Sequence, residues 1–520
     1  MSQVVYTELE GFPVCWPYKQ TRPFSSSQKL NAQNITGSAS TTEENIGLIE
    51  GADRYDYNIY GSNEIQKFIR ASKNYRVSKV VVRVKKAGTP PDNLYVRVQD
   101  GGWLLQGYGV RAGTGTAITQ SIYGSRRVAI RFQARFSGSR IAVSGLIYVN
   151  GSPPPLVIEL RDSTDGSIMG STLLASTTLT FGSTGWQKFV ASLTSQTQEG
   201  RYYSIIFYIQ NNGGDGSNWY AFVYSIEQNQ NLLNITAHYS TDGGSSWGAG
   251  YLAFLAVAIW RDVSRYVEAS VAASSVGTSY SDLTITLPSA FYALDAPPFI
   301  VIRIYSPNCN SSNYYAIAVR DYTTAAPDEL AFQANGLAEI HSYTYYAWRC
   351  VAARGAGLEM IKIYEQDITL VKRIPAASPQ PKIDITFSGA TILGIFSYGN
   401  SKDYVERSSS GAFLNKVLSP GTLRMELYVC NGSTTITDIT YTEQVYFDKN
   451  PVTPRDFGFS ELYLLRVDLP AGGQVRMNDH AAGDLYSSSA TTITFADFRI
   501  PVRKIEVISG APTLWFIGVI

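Results

Sequence analysis

A strand-turn-strand unit that occurs twice constrains this chain more than any other feature. Val77-Ser78-Lys79-Val80-Val81-Val82-Arg83-Val84 leads through Gly88-Thr89-Pro90-Pro91 into Leu94-Tyr95-Val96-Arg97-Val98-Gln99-Asp100. Further along, Val143-Ser144-Gly145-Leu146-Ile147-Tyr148-Val149 leads through Gly151-Ser152-Pro153-Pro154 into Leu156-Val157-Ile158-Glu159-Leu160-Arg161-Asp162. Each limb alternates apolar and polar residues, the period of a half-buried strand. The Gly-x-Pro-Pro corner fixes φ and removes N–H donors, so it breaks the strand and turns the chain. Self-similarity of this kind reports modular construction. Fainter echoes follow at Ala296–Ile304 and Ser419–Leu427.

The rest of the chain carries the same strand chemistry. Charged residues make up 16% of 520 residues, against about a quarter in an ordinary globular protein. Ser, Thr, Gly, Asn and 35 Tyr take their place, and these favour strands and turns over helices. Two short stretches, Ser460–Leu465 and Leu330–Glu339, are the best helix candidates. Strands at short spacing with Gly, Pro and Asn turns indicate an all-β chain of sandwiches or barrels. The length exceeds what a single core serves.

Composition divides the chain into five blocks. Residues 1–55 are rich in Ser, Thr, Asn and Gln without periodicity, and are expected to form an irregular arm that orders against a partner. Residues 56–125 hold the first copy of the unit, with no evident second half. Residues 126–262 read as a complete module, 263–375 as a further sandwich, and 376–520 as a C-terminal β domain. Ala376-Ala377-Ser378-Pro379-Gln380-Pro381 reads as a linker.

Within 126–262 the motifs follow a recognisable order. The Gly151 corner leads to Asp162-Ser163-Thr164-Asp165-Gly166-Ser167, then Gly185-Trp186-Gln187-Lys188-Phe189, then Gly200-Arg201-Tyr202-Tyr203-Ser204-Ile205-Ile206. This stretch resembles the jelly-roll β-sandwich modules, similar to carbohydrate-binding modules, of microbial surface proteins and viral spikes. The resemblance implies jelly-roll-like sandwiches in tandem behind the arm. It also implies that Asp162, Asp165 and Asp215 hold a structural calcium, since such modules often carry one; turn-forming aspartates have the same composition. No other cofactor is expected.

Ser240-Thr241-Asp242-Gly243-Gly244-Ser245-Ser246-Trp247 fits the Asp-box pattern, in which Asp and Gly turn a hairpin and Trp packs under it. Ser240, Asp242, Gly244 and Trp247 are therefore expected to be structural, and a single box argues against a propeller. The stretch also satisfies G-x-S-x-G through Gly244, Ser246 and Gly248, but the strand-helix context of a nucleophile elbow is missing. His238, His341 and His480 form no metal-ligating pair. Glu159, Asp162 and Asp165 supply carboxylates whose separation a sequence does not give. No enzyme activity is expected.

Exposed aromatic rings stack on sugar rings, so Trp186, Trp219 and Tyr220 are the candidate glycan contacts, with core packing as the competing role. Cys15, Cys309, Cys350 and Cys430 form no CxxC; Cys309 and Cys350 either pair or remain buried thiols. Sequons occur at Asn34, Asn150, Asn234, Asn310 and Asn431.

Net charge is +1, from 43 basic and 42 acidic residues, with no basic-aromatic stripe, so nucleic acid is not an expected partner. No apolar run reaches the ~20 residues of a membrane span. Met1–Glu8 has neither a basic region nor an apolar core, so no secretory signal is expected. An outward-facing composition without an export signal suits a virion surface protein. The composition and modules look like spike, turret or tail-fibre proteins of archaeal viruses. The expected function is host attachment through glycans, as a homo-oligomer in contact with other virion proteins. A secreted adhesion protein and a purely structural capsid component are the alternatives.

Overall fold

A computed structural model describes residues 12–17, 21–23, 28–30, 34–47, 55–105, 118–170, 172–225, 236–249, 252–253, 255–294, 299–321, 329–335, 349–372, 374–447, 449–479, 484–495 and 500–519. The described chain is all-β, built of several antiparallel sheets. Its only helical elements among these residues are the short 3-10 turns Gln210–Asn212, Ala273–Ser275 and Pro454–Phe457. Two compact units arise, one from residues 42–359 and one from 1–41 together with 360–520.

The unit 42–359 contains two sandwiches, one nested in the other. In the outer sandwich, one sheet includes Tyr55–Ile59, Tyr75–Ala87, Ser281–Ala293 and Tyr314–Asp321, while the facing sheet runs Tyr266–Val271, Leu94–Gln99, Phe299–Tyr305, Asn63–Arg70 and Glu329–Asn335. The blocks 56–125 and 263–375 thus supply strands to the same pair of sheets. They share one core, in which Ile65, Val80, Val96, Ile302 and Ile317 have no more than trace exposure. Each such side chain contributes about 1.5–3 kcal/mol on burial.

The inner sandwich repeats this plan strand for strand. One sheet includes Ile118–Ile122, Gly138–Asn150, Gly185–Thr197, Trp219–Ser225 and Leu255–Arg261, and the other runs Thr172–Leu179, Leu156–Asp162, Tyr202–Ile209, Arg127–Gln133 and Thr236–Ser240. The registers coincide. Ile59 faces Tyr315 as Ile122 faces Tyr220. Ala87 faces Tyr314 as Asn150 faces Trp219. Ile65 faces Ile304 as Val128 faces Phe207. The second half of the first repeat therefore lies beyond the inner sandwich, which is inserted between Gln99 and Tyr266. The sequence carries one more trace of the duplication: Ile59-Tyr60-Gly61-Ser62 returns as Ile122-Tyr123-Gly124-Ser125.

Both Gly-x-Pro-Pro corners do the same job. Each carries the chain from one sheet to the facing sheet rather than closing a hairpin, because the strands on either side of it belong to different sheets. Gly88 and Gly151 have φ of 64° and 65°. A Cβ at Gly151 would also collide with Ser217 O and the Asn218 side chain.

The junction is aromatic. Incoming Gly102–Leu105 pairs with outgoing Leu255–Arg261. Trp103 and Trp260 meet edge to face at 5.2 Å under the Arg140 guanidinium. Phe136 of the inner sandwich packs on Phe68 and Phe299 of the outer one, 4.7 and 6.5 Å between centroids.

The unit 1–41 with 360–520 corrects three expectations. Residues 1–55 are not an irregular arm throughout. Phe12–Pro17 pairs with Thr513–Val519, while Thr21–Pro23, Gln28–Lys29 and Ile35–Ala39 pair with Gly421–Tyr446. These strands are only two to six residues long, too short to stand out as a period in the sequence. Second, Ala376–Pro381 is not a linker: Ala377 is buried, and Ser378 begins a strand running to Tyr398. Its prolines are tolerated because Pro379 lies in an edge-facing position, its carbonyl accepting from Leu418 N at 2.9 Å. Third, the proposed helix at Ser460–Leu465 is the start of strand Glu461–Leu469, with Leu462, Leu464 and Val467 buried. The other helix candidate, Leu330–Glu339, begins in strand Glu329–Asn335, and its later residues lie outside the described ones.

Candidate functional site

Alternation along Gly138–Asn150 decides what its end presents. Ile147 and Val149 face the core, so Tyr148 and Asn150 face out. On the neighbouring strand Tyr148 pairs with Trp186, and across the other edge Asn150 pairs with Trp219. Three rings therefore share one outer face. Tyr148 meets Trp186 edge to face at 5.2 Å and 75°, and it lies 5.6 Å and 31° from Trp219. Trp186 is 47% exposed, unusual for a residue of this size. Three adjacent strands span about 10 Å, so the cluster forms a short aromatic shelf.

The shelf is held from behind by the Gly151 corner. Asn150 Nδ2 donates to Ser217 O at 2.7 Å, and Ser152 N donates to Asn218 Oδ1 at 2.8 Å. Asp215 Oδ1 accepts from Ser217 N, Asn218 N and Asn218 Nδ2 at 2.7, 2.9 and 3.1 Å. These donors hold its carboxyl below the usual range, the Ser217 N–H foremost. Asp215 thus fixes the loop that delivers Trp219.

Sequence reasoning grouped Trp186, Trp219 and Tyr220. The structure brings the first two together through Tyr148, which was missed, and removes Tyr220. Tyr220 is adjacent to Trp219 on an extended strand and so points the opposite way. It is 1% exposed, donates to Pro154 O at 3.0 Å, and burial pushes its phenol up to about 12. Period-2 parity from buried Ile147 and Val149 was the signal that singles out Tyr148.

The aspartates do not converge. Asp162 and Asp165 share a turn: Asp162 Oδ1 accepts from Thr164 N at 3.0 Å, and Asp165 Oδ1 accepts from Ser167 N at 2.9 Å. Asp215 lies by the Gly151 corner, at the opposite end of strand Leu156–Asp162, roughly 20 Å away. Among the described residues no group of three or more His, Cys, Asp or Glu is placed to hold a metal ion.

The Asp box closes a hairpin in which Tyr239 pairs with Gly248. Asp242 Oδ1 accepts from Ser246 N at 2.9 Å, Ser240 Oγ accepts from Gly244 N at 2.8 Å, and Trp247 Nε1 donates to Gly244 O at 3.1 Å. Ser246 Oγ donates to Asp242, so the G-x-S-x-G serine is a turn residue here. His238 contacts Thr236; His341 and His480 lie outside the described residues. Glu159 accepts from Tyr208 Oη and Arg161 Nε, both at 2.8 Å, within the other sheet. Cys309 and Cys430 are buried and in no disulfide, and the side chains of Cys15 and Cys350 lie outside the described ones.

The outer sandwich provides an internal comparison. Lys85 stands where the inner one has Tyr148. Its ammonium lies 4.5 Å over the Tyr280 ring and 2.7 Å from Asp56 Oδ2, while Tyr280 Oη donates to Asp56 Oδ1 at 2.7 Å. The Tyr280 ring, at the position equivalent to Trp186, is thus covered by a cation, whereas Trp186 is 47% exposed. No family model matches this chain, and no curated protein matches it in sequence.

Proposed function

We propose that this is a virion structural protein of spike, turret or tail-fibre type, which projects from a particle surface and attaches to host glycans through its inner sandwich. The observation that carries the reading is the Trp186–Tyr148–Trp219 shelf: three outward rings on one rigid sheet. Rings of this kind take the apolar C–H face of a sugar, and the flanking polar loop at Ser217 supplies hydroxyl partners. The shelf is preformed, so binding orders little of the protein. Low charge and nested sandwiches suit a surface that works by packing and contact rather than by chemistry. Weak single contacts become useful when several copies present the shelf together. Among the described residues no helix is long and apolar enough to cross a membrane.

A glycan array probed with the full chain tests this. Binding to a defined glycan set is expected, with Trp186→Ala and Trp219→Ala each weakening it at least about tenfold at unchanged melting temperature. An array on which the full chain binds nothing removes the attachment role and leaves a purely structural component.

A further inference from the structure

The inner sandwich has an uncharged flank. Thr172–Leu179 is the terminal strand of its sheet, and its outer backbone edge has no partner strand among the described residues. It is open to solvent: Thr172, Ser176 and Thr178 are exposed, and Leu173 is 47% exposed. From Thr172 to Gln187 the chain contains no charged residue and no proline. Thr and Leu dominate it, and Leu174, Leu179 and Phe181 anchor it to the core from within. Exposed edge strands are normally blunted by charge, proline or a bulge, because bare N–H and C=O rows invite another strand.

The outer sandwich shows what a guarded version looks like. Its equivalent strand, Tyr266–Val271, carries Glu268, bound by Arg97 at 2.7 Å. The strand after it, Ser281–Ala293, carries Asp282, bound by Arg83 at 3.1 Å. Pro288 lies where that strand's pairing register shifts, between Thr286 and Phe291. One chain thus holds two copies of one fold: charge and proline stand on the outer edge, while the inner edge carries only a bulge at Leu174, near its start, and is regular from Ala175 to Leu179.

We propose that Thr172–Leu179 is a self-association edge, pairing antiparallel with the same strand of a second copy across a two-fold axis. The occupant follows from charge. Two-fold pairing sets each strand against itself, which is penalised when like charges meet. Here none can meet, and a chain with net charge +1 adds little repulsion at long range. Pairing consumes both free edges, so the contact closes at two copies. The proposal does not depend on any glycan.

Ser176 lies next to the middle of the strand and so next to the axis, where its symmetry mate is closest. The test is sedimentation velocity on the full chain from about 1 to 100 μM. The wild-type chain is expected to be dimeric. Ser176→Lys and Ser176→Glu are each expected to raise the dissociation constant at least about tenfold, with near-ultraviolet circular dichroism unchanged. An equimolar mixture of the two variants is expected to recover the dimer, which mere loss of folding would not produce. A wild-type chain that stays monomeric at the highest concentration overturns the proposal, as do single variants that dimerise like wild type.

Discussion

Asp100 and Arg265 lie 165 positions apart in the chain, yet Asp100 Oδ1 accepts the backbone N–H of Arg265 at 3.0 Å. The same oxygen accepts Ser264 N at 2.9 Å, and the second carboxylate oxygen takes the Ser264 hydroxyl. One side chain thus joins the chain leaving the outer sandwich to the chain returning to it. In the inner sandwich Asp162 ends the equivalent strand and grips Thr164 in the same manner.

Asp100→Ala leaves two N–H groups unsatisfied at a part-buried junction. A loss of about 1–3 kcal/mol is expected. Asp100→Asn keeps an acceptor and is expected to lose less. Calorimetry gives the magnitude, and hydrogen exchange at Ser264 and Arg265 gives the place. An unchanged melting temperature for Asp100→Ala would show that the aromatic packing alone holds the junction.

The equivalence of the two sandwiches also makes the insertion removable. Where the outer sandwich leaves Asp100 for the insert, the inner one uses only the short turn after Asp162 to reach Thr172. A chain in which residues 163–171 replace residues 101–264, so that Asp100 stays opposite Arg265 as Asp162 is opposite Thr172, is expected to retain the outer sandwich. Cooperative thermal unfolding with a β-type circular dichroism spectrum would show it. Loss of folded protein would mean that Trp103, Phe136 and Trp260 complete the outer core.

Strand character was legible because alternation is local: Val77–Val84 and Val143–Val149 announce themselves. Nesting was not, because pairing Tyr75–Ala87 with Ser281–Ala293 is decided by contacts across the insert. The same limit explains the site. Trp186 and Trp219 could be picked as large aromatic residues. Their meeting on Tyr148 depends on a register that only the folded sheet defines, and parity excludes Tyr220 once the buried face is known. The aspartates misled because a carboxylate in an Asx turn and one in a cation site have the same composition.

The Gly151 corner links backbone to shelf. At φ 65°, a side chain is strained, and a Cβ there meets Ser217 O and Asn218. Gly151→Ala is expected to cost about 1–3 kcal/mol. It is also expected to displace the loop that positions Trp219, so glycan binding falls more than the stability change accounts for. Gly61→Ala serves as the comparison: φ is 55°, but a Cβ would meet nothing within 4 Å, so a smaller loss and unaltered binding are expected.

Acid should loosen the Asp box before it unfolds the sandwich. The hydroxyl and backbone N–H of Ser246, with Ser240 Oγ–H, hold the Asp242 carboxyl well below its ordinary value. A carboxyl with a lowered folded-state pKa contributes stability that is fully present above its unfolded value, about 4, and is lost as pH falls towards the folded one. The hairpin is therefore expected to be insensitive to pH from 7 down to about 4 and to weaken progressively below that. The indole N–H of Trp247, which donates to Gly244 O, reports on it by nuclear magnetic resonance. In Asp242→Asn the acid-dependent change at this N–H should disappear, and its exchange should be faster at neutral pH. If both proteins titrate alike below pH 4, the change comes from carboxylates elsewhere and Asp242 does not control the turn.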